Sequence, residues 1–262
     1  MITDIGRIIE NKKLSEGIYS LWIKTQIAAL AGPGQFVLCY PKDKSTLLQR
    51  PISICEINPA KDSLRIVFRV AGKGTAEFAA LSQGEEIRLL GSCGNGYDIE
   101  NADRSEKIYL VGGGIGVPPM LQTGKALKEK GADICFVLGY RNADMFLYED
   151  FKAMAGEENI LIATDDGSRG CRGTVIDAMR AAGVEKGTIM ACGPMPMLKG
   201  LKAFAGEKAM KAYISLEERM ACGVGACLGC VCKTVKKDEH SRVNNARICV
   251  EGPVFDAEDV EI

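Results

Sequence analysis

The sequence contains a single histidine, His240, among its 262 residues. This scarcity argues against the histidine-centred catalytic triads and histidine metal sites of many hydrolases. The 33 Lys and Arg residues nearly balance the 34 Asp and Glu residues, so nucleic acid is not expected as the main partner. No apolar run reaches the roughly 18–20 residues that span a bilayer. We expect His240, within a charged run, to lie in a solvated turn.

The sequence also shows no N-terminal secretory signal, although it has 11 cysteines. Thiols in the reducing cytoplasm seldom form lasting disulfides. We therefore expect a cytoplasmic protein whose cysteines are either free or bound to metal. Five of the cysteines lie from Cys222 to Cys249, which marks the end of the chain as a separate unit.

Four of these late cysteines have the spacing C-x4-C-x2-C followed by a distant fourth cysteine, namely Cys222, Cys227, Cys230 and Cys249. This is the spacing by which plant-type ferredoxins bind a [2Fe–2S] cluster. The glycines between the cysteines allow sharp turns and a close approach of backbone amides to inorganic sulfide. The pattern therefore predicts an iron–sulfur site.

Two other interpretations of the cysteines remain open at this point. Four cysteines can bind zinc, although zinc sites usually combine two C-x2-C pairs, and a disulfide is also conceivable. Cys232 lies two residues beyond Cys230, on the same side of a strand, and is a rival ligand. The spacing favours Cys230, and we expect Cys232 to pack as a small apolar residue.

Hydrophobic periodicity divides the chain into three predicted domains. Residues 1–101 show short alternating runs separated by turn residues, which predict a small antiparallel β-barrel. A short helix, capped by Thr75, interrupts these runs. In residues 102–212 strands alternate with helices, as in a doubly wound parallel α/β sheet. Residues 213–262 form the small cysteine-rich domain.

Two motifs in the predicted barrel are suited to a phosphate. Arg50, followed by Pro51, Ile52 and Ser53 at the start of a strand, can grip a diphosphate with both guanidinium nitrogens. Gly72–Thr75 leads into the short helix, where exposed N–H groups favour an anion. Each motif alone is also compatible with a plain strand start or turn. Together, ahead of a nucleotide-type domain, they indicate a dinucleotide site.

This combination resembles the ferredoxin–NADP reductase superfamily. The resemblance implies that Arg50 holds the diphosphate of FAD, that Ser53 lies near the flavin ring, and that the helix start binds the diphosphate from the other side. The superfamily usually has an aromatic residue where this chain has Ile52, so stacking on the flavin must differ. The implied FAD-binding residues are Arg50, Pro51, Ile52, Ser53, Val67, Phe68, Arg69, Gly74 and Thr75.

The second domain begins with a glycine-rich loop between a strand and a helix. Gly112–Pro119 stands where a phosphate-binding loop is needed, although a tight turn would also use glycine. It resembles the Gly-x-Gly-x-x-Pro loop of the same superfamily, which implies nucleotide binding by Gly112, Gly113, Gly114 and Gly116. By the same resemblance, Cys192, Gly193 and Pro194 lie where nicotinamide approaches the flavin. Cys192 could also be a buried thiol.

The nucleotide preference depends on charges near the expected adenosine end. Asp165 and Asp166 follow a strand and would repel a 2′-phosphate, which favours NADH over NADPH. Arg141 and Arg169 oppose this preference. The acidic pair could also be a solvated turn.

The glycine loop and the cysteine region narrow the resemblance to one family. Gly112–Pro119, Ser215–Cys227 and Cys249–Phe255 resemble the electron-transfer subunits of NAD-dependent dihydroorotate dehydrogenase B over essentially the whole chain. This implies a cytoplasmic heterotetramer in pyrimidine biosynthesis. The resemblance further implies that a separate FMN subunit oxidises dihydroorotate and that this chain passes the electrons through [2Fe–2S] and FAD to NAD⁺.

Two alternatives to this function are kept. One is a flavin and iron–sulfur subunit of another NAD(P)H–ferredoxin, sulfide or hydrogenase-type complex. The other is a zinc-stabilised binding protein without a redox role. No catalytic residue for dihydroorotate oxidation is expected in this chain.

Overall fold

The first part of the chain forms a closed antiparallel β-barrel, as predicted. The structure is a computed structural model that describes residues 1–237 and 242–262. In these ranges six strands close in the order β1-β2-β5-β4-β3-β6. Closure occurs where β1 pairs with β6, from Ile2 opposite Gly91 to Arg7 opposite Glu86. The barrel elements are β1 (Ile2–Ser15), β2 (Ile18–Lys24), a 3₁₀ turn (Gln26–Ala29), β3 (Phe36–Tyr40), β4 (Arg50–Ile57), β5 (Ser63–Arg69), α1 (Lys73–Ala79) and β6 (Glu86–Cys93).

The start of α1 differs from the sequence prediction. Thr75 is not the N-cap: the helix begins at Lys73, and Gly72 occupies the cap position. The Thr75 hydroxyl instead accepts hydrogen bonds from the backbone N–H groups of Ala71 (2.9 Å) and Gly72 (3.2 Å). A side chain three positions into a helix can reach back to the cap in this way. The prediction failed because Gly72 has no polar side chain to mark the true start.

The second part forms the predicted α/β layer. In the described part of the chain, seven strands form one sheet in the order β10-β9-β8-β7-β11-β12-β15, and all neighbours are parallel except β12 and β15. Its elements are β7 (Ile108–Gly113), a 3₁₀ turn (Gly114–Gly116), α2 (Pro118–Glu129), β8 (Ile134–Tyr140), α3 (Tyr148–Ala155), a 3₁₀ turn (Glu157–Asn159), β9 (Ile160–Thr164), β10 (Cys171–Arg172), α4 (Val175–Ala181), β11 (Thr188–Cys192), α5 (Met195–Glu207), β12 (Lys211–Ser215) and β15 (Val254–Asp256).

The cysteine-rich segment is anchored in this sheet. The proposed boundary between residues 212 and 213 falls inside β12, and β15 returns from the end of the chain to pair with β12 in antiparallel register. Between them lie the cysteine loop and a two-stranded hairpin of β13 (Val231–Lys233) and β14 (Asn245–Arg247). His240, expected in a solvated turn, lies outside the described residues.

The barrel and the α/β layer share a hydrophobic core. One cluster of buried residues combines Ile18, Cys55 and Val67 of the barrel with Val117 and Met190 of the second layer. The two layers therefore pack on each other through apolar side chains, and we call the seam between them, at Val67 of the barrel and Val117 and Met190 of the second layer, the cleft. Among the described residues, no helix is both long and apolar enough to cross a membrane.

Candidate functional site

The two phosphate motifs of the barrel meet in the structure. Arg50 begins β4, and Gly74 lies in the first turn of α1. A Cβ atom placed on Gly74 would lie 3.1 Å from Nε of Arg50 and 3.1 Å from Cγ of Pro41, so a larger residue would crowd the guanidinium. The Arg50 side chain also donates to the carbonyl of Leu48 at 2.6 Å, which directs it. A cation thus lies beside helix N–H groups, an arrangement that fits a diphosphate.

The β4 residues after Arg50 alternate between the two faces of the strand. The side chain of Ile52 is buried in the barrel core, 7 % exposed, while its neighbours Pro51 and Ser53 are partly accessible. Ser53 pairs across the sheet with Phe36. Ile52 therefore fills the barrel rather than presenting a stacking surface, and Ser53 is the residue free to approach a ring.

The three β5 residues predicted to line the flavin have different surroundings. Val67 lies in the core cluster between the layers, and Arg69 is exposed. The ring of Phe68 packs in the barrel against Tyr19 and Phe78, with centroids 6.3 and 6.2 Å away. Because successive strand residues face opposite sides, Phe68 offers the cleft its backbone only. Of the three side chains, only that of Arg69 is exposed, while Val67 faces the seam between the layers.

The glycine loop of the second layer packs directly on the segment after β11. Cys192 pairs with Gly112 across β7 and β11. A Cβ on Gly116 would lie 2.6 Å from the amide nitrogen of Gly193, which is rigid backbone. The loop can approach this closely only because it lacks side chains. The predicted loop residues and Cys192–Pro194 thus form one wall of the cleft.

Arg69 connects this wall to the barrel. A Cβ on Gly114 would lie 3.9 Å from Nη2 of Arg69. The exposed guanidinium of β5 therefore stands at the mouth of the cleft beside the glycine loop. In this position it can meet a negatively charged group on either nucleotide.

Two titratable groups, Cys192 and Tyr97, lie at the end of β11. Burial raises the pKa of the Cys192 thiol to about 12, and burial also raises the pKa of Tyr97 well above its ordinary value. The hydroxyl of Tyr97 donates to the carbonyl of Ala191 at 2.8 Å, which fixes the end of β11. Both groups therefore stay protonated at neutral pH, and Cys192 is not a thiolate nucleophile.

The expected adenosine end has its polar groups engaged in a turn. The carboxylate of Asp166 accepts bonds from the N–H (2.9 Å) and hydroxyl (2.6 Å) of Ser168. Arg169 forms an ion pair with Glu157 at 3.5 Å, while Asp165 is exposed. Asp165, which would repel a 2′-phosphate, is thus accessible. Arg169, which would attract one, is already partly neutralised by Glu157.

The four predicted cluster cysteines converge from two segments of the chain. Cys222 and Cys227 interact through their thiols, and Cys249 interacts in the same way with Cys230. An electrostatic interaction between Cys249 and Cys222 links the pairs. Four thiols are the donor set of a [2Fe–2S] cluster, in which each iron takes two cysteines.

The loop around Cys222 provides N–H donors to sulfur. The N–H groups of Val224 and Cys227 lie 3.5 and 3.3 Å from Sγ of Cys222. Chiefly through the Val224 bond, these amides lower the pKa of Cys222 to about 6. Gly223 and Gly225 adopt φ angles of +66° and +81°, which side chains of L-residues rarely allow. The donor set and its N–H groups therefore fit a thiolate-bound cluster.

Cys232, the rival ligand, lies on β13, two residues beyond Cys230. Its side chain is half-buried against the core cluster that runs beneath the cysteine region, and its partner across the hairpin is Ala246. Burial raises the pKa of this thiol. These surroundings agree with the interpretation of Cys232 as a small apolar residue.

Short contacts that sequence reasoning missed bring the cysteine loop against the barrel. Gln49, next to Arg50, donates to the carbonyl of Ala221 at 2.6 Å. On the other side, the N–H of Asn95 donates to Gly252 at 2.6 Å. Neither Gln49 nor Asn95 belongs to a recognisable sequence motif. The only sequence signal for Gln49 is its position next to Arg50.

Two family models match the chain. Residues 217–261 match the iron–sulfur cluster binding domain of dihydroorotate dehydrogenase B, and residues 110–203 match the oxidoreductase NAD-binding domain. These ranges include the four cysteines and the glycine loop.

Curated relatives match along nearly the whole chain. The dihydroorotate dehydrogenase B (NAD⁺) electron transfer subunit of Listeria monocytogenes (strain HCC23) is 40 % identical over 98 % of both chains. The corresponding subunit of Fusobacterium nucleatum is 40 % identical over 97 % of this chain and 96 % of its own. That of Bacillus velezensis is 39 % identical over 96 % of both.

Solved structures share the architecture. An NADH-dependent reduced ferredoxin–NADP oxidoreductase, studied for flavin-based electron bifurcation, superimposes with a TM-score of 0.86 at 30 % identity, covering 98 % of this chain and 89 % of that one. Phthalate dioxygenase reductase, described as transferring electrons from pyridine nucleotides to [2Fe–2S], gives 0.64 at 14 % identity over 94 % of both chains. The second likeness concerns the fold alone.

Proposed function

This chain belongs to the family of dihydroorotate dehydrogenase B electron-transfer subunits, and from that premise we propose that it carries electrons from a dihydroorotate-oxidising FMN subunit through [2Fe–2S] and FAD to NAD⁺. The main support is that one chain contains three candidate cofactor sites. They are the four cysteines, the contact between Arg50 and Gly74, and the glycine loop packed against Cys192–Pro194. This is an oxidoreductase subunit that acts in pyrimidine biosynthesis.

The cofactors supply the redox chemistry when bound, since a cluster passes single electrons and a flavin exchanges them for hydride. The protein's own residues bind and orient. We propose that Arg50, Gly74 and Thr75 hold the FAD diphosphate, with Ser53, Val67 and Arg69 around the ring. For Pro51, Ile52 and Phe68, which the resemblance places among the FAD-binding residues, we propose contacts through the backbone.

We further assign nicotinamide nucleotide binding to the wall opposite the barrel. We propose that Gly112, Gly113, Gly114 and Gly116 let the nucleotide approach the backbone closely, while Cys192, Gly193 and Pro194 border the place where nicotinamide meets the flavin. Because the Cys192 thiol stays neutral, it adds no charge where nicotinamide would meet the flavin. The accessible Asp165 supports NADH over NADPH.

The partner subunit needs a surface close to the cluster. Four exposed apolar residues flank the Gln49–Ala221 contact, and we call them the cluster rim: Leu47 (89 % exposed), Leu48 (49 %), Val224 (40 %) and Leu228 (71 %). Exposed apolar side chains beside a functional site mark protein interfaces. We assign the cluster rim to the FMN-containing catalytic subunit, in a heterotetramer with two copies of each chain.

The cluster rim can be tested with single charges. Leu228→Asp and Leu47→Asp should each weaken binding to the purified catalytic subunit at least about tenfold, since a buried unpaired carboxylate is costly. Ile5→Asp is the matched control, because Ile5 lies 55 % exposed on β1 of the barrel. Equal binding by all three variants in a titration calorimeter would place the interface elsewhere.

The function itself is tested by spectrum and turnover. The anaerobically purified chain should show flavin bands and a broad [2Fe–2S] absorption, and both should bleach on addition of NADH. With the catalytic subunit added, NADH oxidation should depend on orotate. A colourless protein would show that the chain binds neither flavin nor [2Fe–2S], which would contradict the proposed function.

One alternative has a specific observation in its favour. The likeness to the NADH-dependent reduced ferredoxin–NADP oxidoreductase, with a TM-score of 0.86, would fit a ferredoxin-linked complex instead. In that case NADH oxidation would require ferredoxin and would ignore orotate. The same assay, run with each acceptor in turn, separates the two functions.

A further inference from the structure

Arg247 joins the two chain segments that carry the cluster cysteines. It ends β14, two residues before Cys249. Its Nη1 donates to the carbonyl of Gly225 at 2.9 Å, in the loop between Cys222 and Cys227. One side chain therefore spans from the Cys249 turn to the opposite ligand loop.

The carboxylate of Glu251 binds the same guanidinium. Nε of Arg247 lies 3.0 and 3.1 Å from the two carboxylate oxygens of Glu251, and Nη2 contacts this group as well. The backbone N–H of Arg247 also donates to Glu251, and its carbonyl accepts from the N–H of Val250 (3.0 Å) and of Glu251 (2.9 Å). The turn that contains Cys249 is thus closed by Arg247 through both main chain and side chain.

This geometry requires arginine rather than any cation. The planar guanidinium bonds Glu251 along one edge and reaches the Gly225 carbonyl from another nitrogen. A lysine ammonium is a single point charge and cannot serve both partners in fixed directions. Both side chains are 38 % exposed, so the pair lies at the surface of the cluster site and not in the core.

The pair also bears on the charge at the thiolates. A [2Fe–2S] cluster with four thiolate ligands is anionic and gains a further negative charge on reduction, and its potential depends on nearby charge and hydrogen bonds. The cation of Arg247 favours the reduced form, whereas Glu251 opposes it. Their balance therefore adjusts how readily the cluster accepts an electron.

We propose that Arg247, held by Glu251, is the positioning residue of the cluster: it fixes the Cys222–Cys227 loop to the Cys249 turn and raises the reduction potential of the bound cluster. This inference rests on the proposed function, because it presupposes that the four cysteines bind [2Fe–2S]. It assigns no part in hydride transfer to either residue.

Redox titration followed by electron paramagnetic resonance tests the proposal, using the purified full chain. Arg247→Gln should lower the cluster midpoint by roughly a tenfold change in the equilibrium constant for reduction, about 59 mV for one electron. Glu251→Gln should raise it. Arg247→Lys should leave the midpoint near the parent value but release iron to a chelator several-fold faster, because it keeps the charge and loses the bridge.

Lys233→Gln is the matched control, since Lys233 is exposed on β13 of the same hairpin and its removal takes away one positive charge. It should change neither midpoint nor iron release. If Arg247→Gln behaves like this control, the proposal is wrong. If Arg247→Gln does not fold, the other two variants decide. The proposal is then wrong if Glu251→Gln leaves the cluster midpoint unchanged and Arg247→Lys releases iron at the parent rate. A parent chain without a [2Fe–2S] signal would overturn the proposed function itself, and this inference with it.

Discussion

Arg65 should be the strongest single ionic link between the barrel and the nucleotide-binding layer. It lies on β5 with only 9 % of its side chain exposed. Its Nε donates to the hydroxyl of Ser20 at 2.8 Å, and its Nη1 lies 2.8 Å from Asp150 of α3 and 3.4 Å from Glu56 of β4. Lys125 of α2 contacts Glu56 from the other layer. We predict that Arg65→Met destabilises the chain and loosens the cleft.

The magnitude follows from the burial of the partners. Removing one member of a fully buried ion pair costs about 3–5 kcal/mol, because the other charge is left unpaired. Here Asp150 is 37 % exposed, and Glu56, 15 % exposed, keeps Lys125. Solvent and the remaining cation reduce the penalty, so we expect about 2–3 kcal/mol.

An exposed arginine pair provides the control. Arg180 bonds Glu207 at 2.7 Å, but the two side chains are 57 % and 52 % exposed. Arg180→Met should therefore cost only about 0–1 kcal/mol. Urea unfolding of the two variants, followed by the fluorescence of the single tryptophan, Trp22 of the barrel, gives both free energies. Equal destabilisation would refute the reasoning from burial.

Four further predictions concern the binding sites and pH. Serine at any one of the four cluster cysteines should abolish the [2Fe–2S] absorption, whereas Cys232→Ser should retain two irons per chain by chemical analysis. Arg50→Gln should weaken FAD retention about 10- to 100-fold on dilution, since charge-assisted bonds contribute about 1.5–3 kcal/mol; parent-like retention would remove Arg50 from the diphosphate site. Gly116→Ala should raise KM for NADH while flavin stays bound, because a Cβ would meet the Gly193 amide nitrogen at 2.6 Å; an unchanged KM would contradict that wall of the cleft. The N–H of Thr174 lowers the pKa of Asp177 below its ordinary 3.8, so Asp177 adds stability above that value and loses it as pH falls through the lowered pKa. Asp177→Asn should therefore destabilise the chain at neutral pH, and its effect should shrink as the pH falls through the lowered pKa, as measured by urea unfolding across that range.

Local patterns were enough to predict most of the fold. Alternating residues predicted the barrel strands, and the change to strand–helix alternation predicted the parallel sheet, because both periods follow from which side chains must be buried. The meeting of Arg50 with Gly74 was also predictable from the resemblance. The start of α1 was wrong, since Thr75 has the composition of a cap but lies three residues inside the helix.

Contacts between distant segments could not be predicted in the same way. The return of β15 to pair with β12 joins residues about forty positions apart and leaves no periodic signal, because short edge strands resemble loops in sequence. Arg65 and Arg247 are ordinary charged residues in sequence, and their partners are known only once the layers pack. Phe68 shows that a motif does not give the direction of each side chain. The resemblance predicted that Phe68 lines the flavin, but the alternation of side chains along β5 directs its ring into the barrel.

The relay depends most on contacts between its units. Gln49 adjoins Arg50 of the proposed flavin site and also bonds Ala221, next to the first proposed cluster cysteine, so one residue would couple the positions of both cofactors. Arg247 bonds Gly225 in the loop between Cys222 and Cys227, and Arg65 links the barrel to α3 through Asp150. Electron and hydride transfer both require the donor and acceptor to be close and correctly oriented. Substitutions at Gln49 and Arg65 should therefore slow transfer between sites while each cofactor remains bound, whereas Arg247→Lys should also speed the loss of iron.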